Sequence, residues 1–171
     1  MMGDSPYHPR MSKKSLKPSP GSAAADAAGV RVLAAQWEEA WNGHDAASLA
    51  GLVEDDVDFV TVSGRWLQGR LEFHDWHRLI HETHLSASLW FNRAFRARRL
   101  GAGLSLVHLE WTIDNENRPD RTVPTTRSGI FSWIVRCQDR GARILAAHNT
   151  NLADATSHRL WKGPIRPEGD A

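Results

Sequence analysis

The chain has 171 residues, 41% hydrophobic and 24% charged, the proportions of one soluble globular domain. Its 21 Lys+Arg against 20 Asp+Glu give a formal charge of +1, and Arg10, Lys13, Lys14 and Lys17 outnumber Asp4 at the start, leaving the remainder slightly acidic. Nonspecific nucleic-acid binding, which needs a basic excess, is disfavoured. A single cysteine, Cys137, excludes an internal disulfide and the multi-cysteine zinc sites and points to a reducing compartment.

Residues 1–24, rich in Pro, Ser, Gly and Lys, read as a disordered tail, followed by one domain over 25–155 and a loose C-terminal extension over 156–171. Behind its charges the tail lacks the apolar run of about 7–15 residues of a secretory signal. No stretch approaches the roughly 20 apolar residues that span a bilayer. A cytoplasmic protein without membrane attachment is expected.

In chain order, Val30, Leu33, Trp37, Ala40 and Trp41 recur at helical spacing, predicting an amphipathic helix over 26–42 that Asn42-Gly43 stops. A short helix over 46–53 follows, with Asp45 as N-cap; Asp55 and Asp56 read as its end. Residues 57–62 form a strand closed by Ser63-Gly64. A third helix over 69–84 carries the stripe Phe73, Trp76, Leu79 and Ile80. Four strands then alternate: 89–99, 104–113, 128–137 and 143–152. Their turns are Gly101-Ala102-Gly103, a polar segment over 114–127, and Asp139-Arg140-Gly141. This order predicts an α+β domain whose helices cover one face of an antiparallel meander. In the strand over 128–137, Phe131, Trp133 and Val135 occupy one face and Ile130 and Ile134 the other. Helices can mask only one of these, so a second copy of the chain is expected on the outer sheet face, with His108, Glu110 and His148 in that contact.

Several segments stand in a familiar order: Trp37…Ala40-Trp41-Asn42-Gly43-His44-Asp45, Asp55-Asp56-Val57-Asp58-Phe59-Val60, Gly64…Gly69-Arg70…His77, and Arg127-Ser128-Gly129-Ile130-Phe131…Arg143-Ile144-Leu145-Ala146-Ala147-His148-Asn149-Thr150. The chain resembles the SnoaL-like, SgcJ/EcaC-type branch of the nuclear-transport-factor-2-like superfamily over about residues 30–152. The resemblance implies a cone-shaped, strongly bent antiparallel sheet wrapped around three helices, a conical pocket and a homodimer. Fold does not fix chemistry: the superfamily includes isomerases, cyclases, hydrolases, dehydratases and proteins that only bind partners. The branch often carries an oxidoreductase label, but Gly101-Ala102-Gly103 lacks the third glycine and the following helix of a dinucleotide site, and no cofactor is expected. Aligned with ketosteroid isomerase, Thr61 falls where that enzyme's base stands and Trp37 where its tyrosine stands. Neither threonine nor indole can do that chemistry.

On the third helix His74, His77, His81 and His84 are spaced 3, 4 and 3. With Phe73, Trp76 and Ile80 taken as inward, His77 and His84 flank the buried stripe and His74 and His81 lie farther out. His77 is the candidate pocket group, as general acid/base or as a structural histidine at the core margin. The i,i+4 pair His77/His81 could chelate, but His81-Glu82-Thr83-His84 is one residue short of the zinc-protease spacing, and no metal is expected. Strand parity points Ser105, Val107, Leu109, Trp111, Phe131, Trp133, Val135, Leu145, Ala147, Asn149 and Asn151 inward. The sequence thus predicts a Trp/His-lined pocket for a small hydrophobic or aromatic molecule. His77 and Asn149 are its catalytic candidates, and Trp37, Trp41, Phe59, Thr61, Trp76, Trp111, Phe131, Trp133 and Asn151 its ligand contacts. The alternative is a non-catalytic ligand-binding or assembly module.

Overall fold

A computed structural model describes residues 20–117, 122–123, 125–138 and 141–152, with side chains described from Asp26 onward. The expected tail up to residue 19 and the C-terminal extension lie outside them.

The first helix, α1 (Pro20–Asn42), begins upstream of the expected start. Its inward face is Val30, Leu33, Ala34, Trp37, Ala40 and Trp41, each at most 7% exposed. α2 (Ala46–Gly51) is capped as expected: Asp45 Oδ1 accepts from the Ser48 amide at 2.9 Å and Oδ2 from the Ser48 hydroxyl at 2.6 Å. It stops earlier than predicted, and β1 (Val53–Val60) follows almost directly. Asp55 and Asp56 therefore belong to a strand, which the buried Val53 and Val57 hold in place. A three-residue strand, β2 (Trp66–Gln68), pairs antiparallel with β1 and had no signal in the sequence. At three residues it is too short to show alternation.

Next come α3 (Gly69–Glu82), β3 (Leu89–Gly101), β4 (Leu104–Glu116), β5 (Thr125–Gln138) and β6 (Gly141–Asn151). The strands form one curved, open sheet in the order β2-β1-β6-β5-β4-β3. All pairings are antiparallel except β1 with β6. Gly101-Ala102-Gly103 is a hairpin turn, Gly103 taking φ 67°. Arg70 fastens α3 to β1, donating to the Val53 carbonyl at 2.7 Å and pairing with Asp55 at 2.7 Å.

The helices cover one face of the sheet. Between them lies a core in which Trp37, Trp90, Trp111, Trp133, Phe73 and Phe131 are all at most 1% exposed. Two inward assignments fail. A register shift lies between Ile134 and Val135 opposite β6, so Ile144 is buried and Leu145 is not; an extra residue in a strand reverses the facing of those beyond it. α3 is rotated from its expected phase. Its buried residues are Phe73, His77, Ile80 and His81, whereas Leu79 is 49% exposed and Trp76 half-buried. His81 is thus inside, not far out. Both imidazoles pack against the aromatic face of α1: the His81 ring meets Trp41 edge-on at 4.8 Å and His77 meets Trp37 edge-on at 6.0 Å.

Candidate functional site

A cavity of about 480 Å³ opens at the end of the cone between α3 and the sheet. Its apolar walls come from Trp41, Phe59, Trp76, Ile80, Leu85, Ile113 and Phe131; its polar groups are Thr61, Ser63, His77, His84, Glu116, Arg127, Asn149 and Asn151. Of the predicted contacts, the structure brings together His77, Asn149, Trp41, Phe59, Thr61, Trp76, Phe131 and Asn151. Trp37, Trp111 and Trp133 do not line the cavity. They stand behind it: Trp37 packs against Phe59, Phe131 and Trp133 at ring separations of 6.2, 5.3 and 5.5 Å.

Each polar lining group is held by a neighbour that fixes what it can offer. The His77 Nδ1 lies 2.8 Å from the Phe73 carbonyl oxygen. A carbonyl only accepts, so Nδ1 carries the proton and Nε2 keeps the lone pair. Burial pushes the His77 pKa down to about 3; the Phe73 carbonyl opposes this in part, and His81 and His74 reinforce it. The ring is therefore neutral at ordinary pH and acts as an acceptor. Asn149 is fixed the opposite way. The Trp111 Nε1–H donates to its Oδ1 at 2.8 Å, and because indole N–H is only a donor, the Asn149 amide keeps its N–H groups for other partners. Thr61 is mostly spent on its own turn, its hydroxyl 2.9 Å from that of Ser63 and accepting from the Arg65 amide at 3.1 Å. The Trp41 indole donates to Ser88 at 3.1 Å, which leaves its ring as wall. Trp76 forms the rim beneath the guanidinium of Arg65, 4.9 Å from the ring.

Sequence reasoning missed the far end of the cavity. Glu116 and Arg127 lie in the segment read as a polar turn. Instead β4 runs on to Glu116 through a register shift, with Asn115 at φ 60°. The Glu116 carboxylate, 8% exposed, meets Arg127 Nε at 2.7 Å. Arg127 also donates to Asn151 Oδ1 at 2.8 Å and lies over the Trp111 ring at 5.1 Å. The only sequence signal for either was Arg127's place in the Arg127-Ser128-Gly129 segment. Cys137 is remote from the cavity lining, and burial raises its thiol pKa, the nearby Asp26 adding to the effect, which fits an inert thiol. Among the described residues no group of three or more His, Cys, Asp or Glu is placed to hold a metal ion. No described helix is long and apolar enough to cross a membrane.

No protein-family model matches the chain, and no curated protein matches it. Solved structures do. It is similar to a protein with a cystatin-like fold from Caulobacter vibrioides, at TM-score 0.71 and 18% identity over 78% of this chain and 94% of that one. It is similar also to an NTF2-like protein with a cystatin-like fold from Novosphingobium aromaticivorans, at TM-score 0.63 and 17% identity over 81% and 89%. A candidate scytalone dehydratase from Novosphingobium aromaticivorans aligns at TM-score 0.69 and 10% identity over 78% and 88%. At these identities the likeness is one of fold: the chain has the cystatin-like, NTF2-like architecture of helices laid in a curved sheet.

Proposed function

We propose that the chain binds a small hydrophobic or aromatic metabolite in the cone and acts on it by cofactor-independent proton transfer of the isomerase, cyclase or dehydratase kind. One observation carries this reading: an apolar cavity in which His77 offers an acceptor and Asn149 a donor, each oriented by a hydrogen bond behind it. The conjugate acid of so weak a base gives its proton back readily. His77 therefore suits a step that moves one proton between two positions of the same ligand. The fold likeness to a candidate scytalone dehydratase supports counting dehydration among these reactions. The SnoaL-like, SgcJ/EcaC-type placement remains part of the proposal, supported by the roles of Arg127, Gly129 and Asn149 around Trp111.

Binding without turnover is the second reading, favoured by the same low basicity of His77. Native mass spectrometry and thermal-shift screening of a metabolite panel, followed by turnover assays on the hits, tests both. Retained ligand converted by the wild type but not by His77→Ala supports the first. Binding that His77→Ala and Asn149→Ala both leave unchanged overturns either.

A homodimer through the outer sheet face belongs to the same proposal. The register runs Arg98, Leu106, Ile134, Ala146, Asp58 across β3, β4, β5, β6 and β1. A basic end and an acidic end thus flank a half-buried apolar middle. A second copy turned about an axis along the strands sets Arg98 towards Asp58. Light scattering on Ile134→Glu should find a monomer if this holds, and an unchanged dimer if it does not.

A further inference from the structure

The turn between β1 and β2 carries a cation to the mouth of the cavity. Thr61, Val62 and Ser63 line the cavity on this side, and three hydrogen bonds close the turn behind them. The Thr61 amide donates to the Arg65 carbonyl at 2.9 Å, the Gly64 amide to the Thr61 carbonyl at 3.0 Å, and the Arg65 amide to the Thr61 hydroxyl at 3.1 Å. The Arg65 backbone is thus held at both its amide and its carbonyl. Its guanidinium lies over the Trp76 ring at 4.9 Å, and that ring is part of the cavity lining. Arg65 is exposed and Trp76 half-buried, so the charge stands where the apolar wall meets water.

Other arginines of this chain spend their charge on carboxylates: Arg70 on Asp55 at 2.7 Å, Arg78 on Glu82 at 3.0 Å, and Arg99 on Asp26 at 3.0 Å. No carboxylate among the described residues pairs with Arg65. Asp58, on the strand that leads into the turn, accepts from the Trp66 indole instead, at 2.9 Å. A guanidinium over an aromatic ring is attracted by the ring's negative face without spending an N–H donor. Its planar fork of donors is left for a bidentate contact with an anion.

Building on the reading of this cavity as a ligand site, we propose that Arg65 is its anion-recognition point. The ligand has a hydrophobic or aromatic body that lies inside against Trp76 and an anionic head that stays at the mouth on the Arg65 guanidinium. Held there, the head keeps part of its hydration, and no bare charge is carried into the apolar interior. The body supplies affinity by burial, and the head supplies orientation, setting which end of the ligand reaches His77 and Asn149.

Calorimetric titration of the full chain near neutral pH with 2-naphthylacetate, the uncharged 2-naphthylacetamide and 2-naphthylethylammonium tests this. The wild type should bind the acetate about fivefold more tightly than the acetamide, the gain of a charge-assisted pair at a partly hydrated rim, and the ammonium least tightly. Arg65→Gln should abolish that preference while leaving acetamide affinity within about twofold, as expected of an exposed position. Arg65→Lys, which keeps the charge and loses the fork, should restore part of it. The wild-type preference should also shrink as NaCl rises from about 0.05 M to about 0.5 M, because a charge at the rim is screened. Equal binding of acetate and acetamide by the wild type, or a preference that survives in Arg65→Gln, overturns the role of Arg65 and leaves the ligand site standing. Binding of none of the three overturns the ligand site itself, and this inference with it.

Discussion

The Trp111 indole reaches from β4 across β5 to donate its N–H to Asn149 Oδ1 on β6, at 2.8 Å. It can cross because the β5 residue paired with it is Gly129. A Cβ there would run into the Trp111 ring and the Thr150 carbonyl. A glycine in the middle of a strand weakens it; this one leaves the gap through which the core orients a cavity residue.

Gly129→Ala should therefore act at a distance. Displacing Trp111 removes the Asn149 bond and the face on which Arg127 rests, and overpacking of this kind costs about 1–3 kcal/mol. Urea denaturation should show that loss, and affinity for a cavity ligand should fall about tenfold. A variant with wild-type stability and affinity would disprove the role assigned to the gap.

Core and cavity tryptophans should separate cleanly. Trp37 is buried, its indole N–H has no partner, and it does not line the cavity. Trp37→Phe should lower stability by about 1–3 kcal/mol while leaving affinity within about twofold. Trp41→Phe removes cavity wall and the bond to Ser88, so it should cost both stability and affinity. Equal affinity losses in the two variants would refute the distinction.

Acid should destabilise the fold through its two buried histidines. The pKa of His77 falls from 6.5 to about 3 and that of His81 from 6.5 to about 4, burial being the leading cause in each. Below pH 6.5 the unfolded chain takes up both protons and the folded chain does not. The stability they contribute is thus complete above that pH and drains away as pH falls towards 4. The slope approaches about 1.4 kcal/mol per pH step for each histidine once the pH is well below 6.5, so the pair removes about 3 kcal/mol between pH 6.5 and 5. Urea midpoints over this range should show it, and His81→Leu should roughly halve the slope. A flat profile would contradict the buried neutral rings.

Neither ring nitrogen of His81 has a hydrogen-bond partner of good geometry. Replacing such a group by an apolar one of similar size removes an uncompensated desolvation. His81→Leu should then be neutral or stabilising at pH 7.5, measured by thermal melting. A loss above about 2 kcal/mol would show that the imidazole makes a bond essential to the fold.

Periodicity carried the long elements. The face of α1, the cap at Asp45 and the alternation of β4 and β5 were all legible, because each rests on local pattern or local hydrogen bonding. What was not legible depended on contacts between elements. The phase of α3 was misjudged by treating histidine as polar, when neutral imidazoles edge-on to Trp37 and Trp41 pack as aromatics do. Leu145 was turned outward by a register shift that leaves no trace in an alternating sequence. Glu116 looked like part of a polar turn because nothing in the sequence announces the left-handed Asn115. The cavity wall was therefore half visible. The residues giving it polarity at the far end were hidden.

The stacked pair Trp90 and Trp111, with centroids 4.9 Å apart and planes 27° apart, has an optical consequence. Two indoles this close couple their transition dipoles, so the folded chain should carry an excitonic band in its near-ultraviolet circular dichroism that unfolding abolishes. Trp111 also holds Asn149 and supports Arg127, so the same band would register events in the cavity without an added label. With the sole tyrosine at position 7, that spectrum belongs almost wholly to indole.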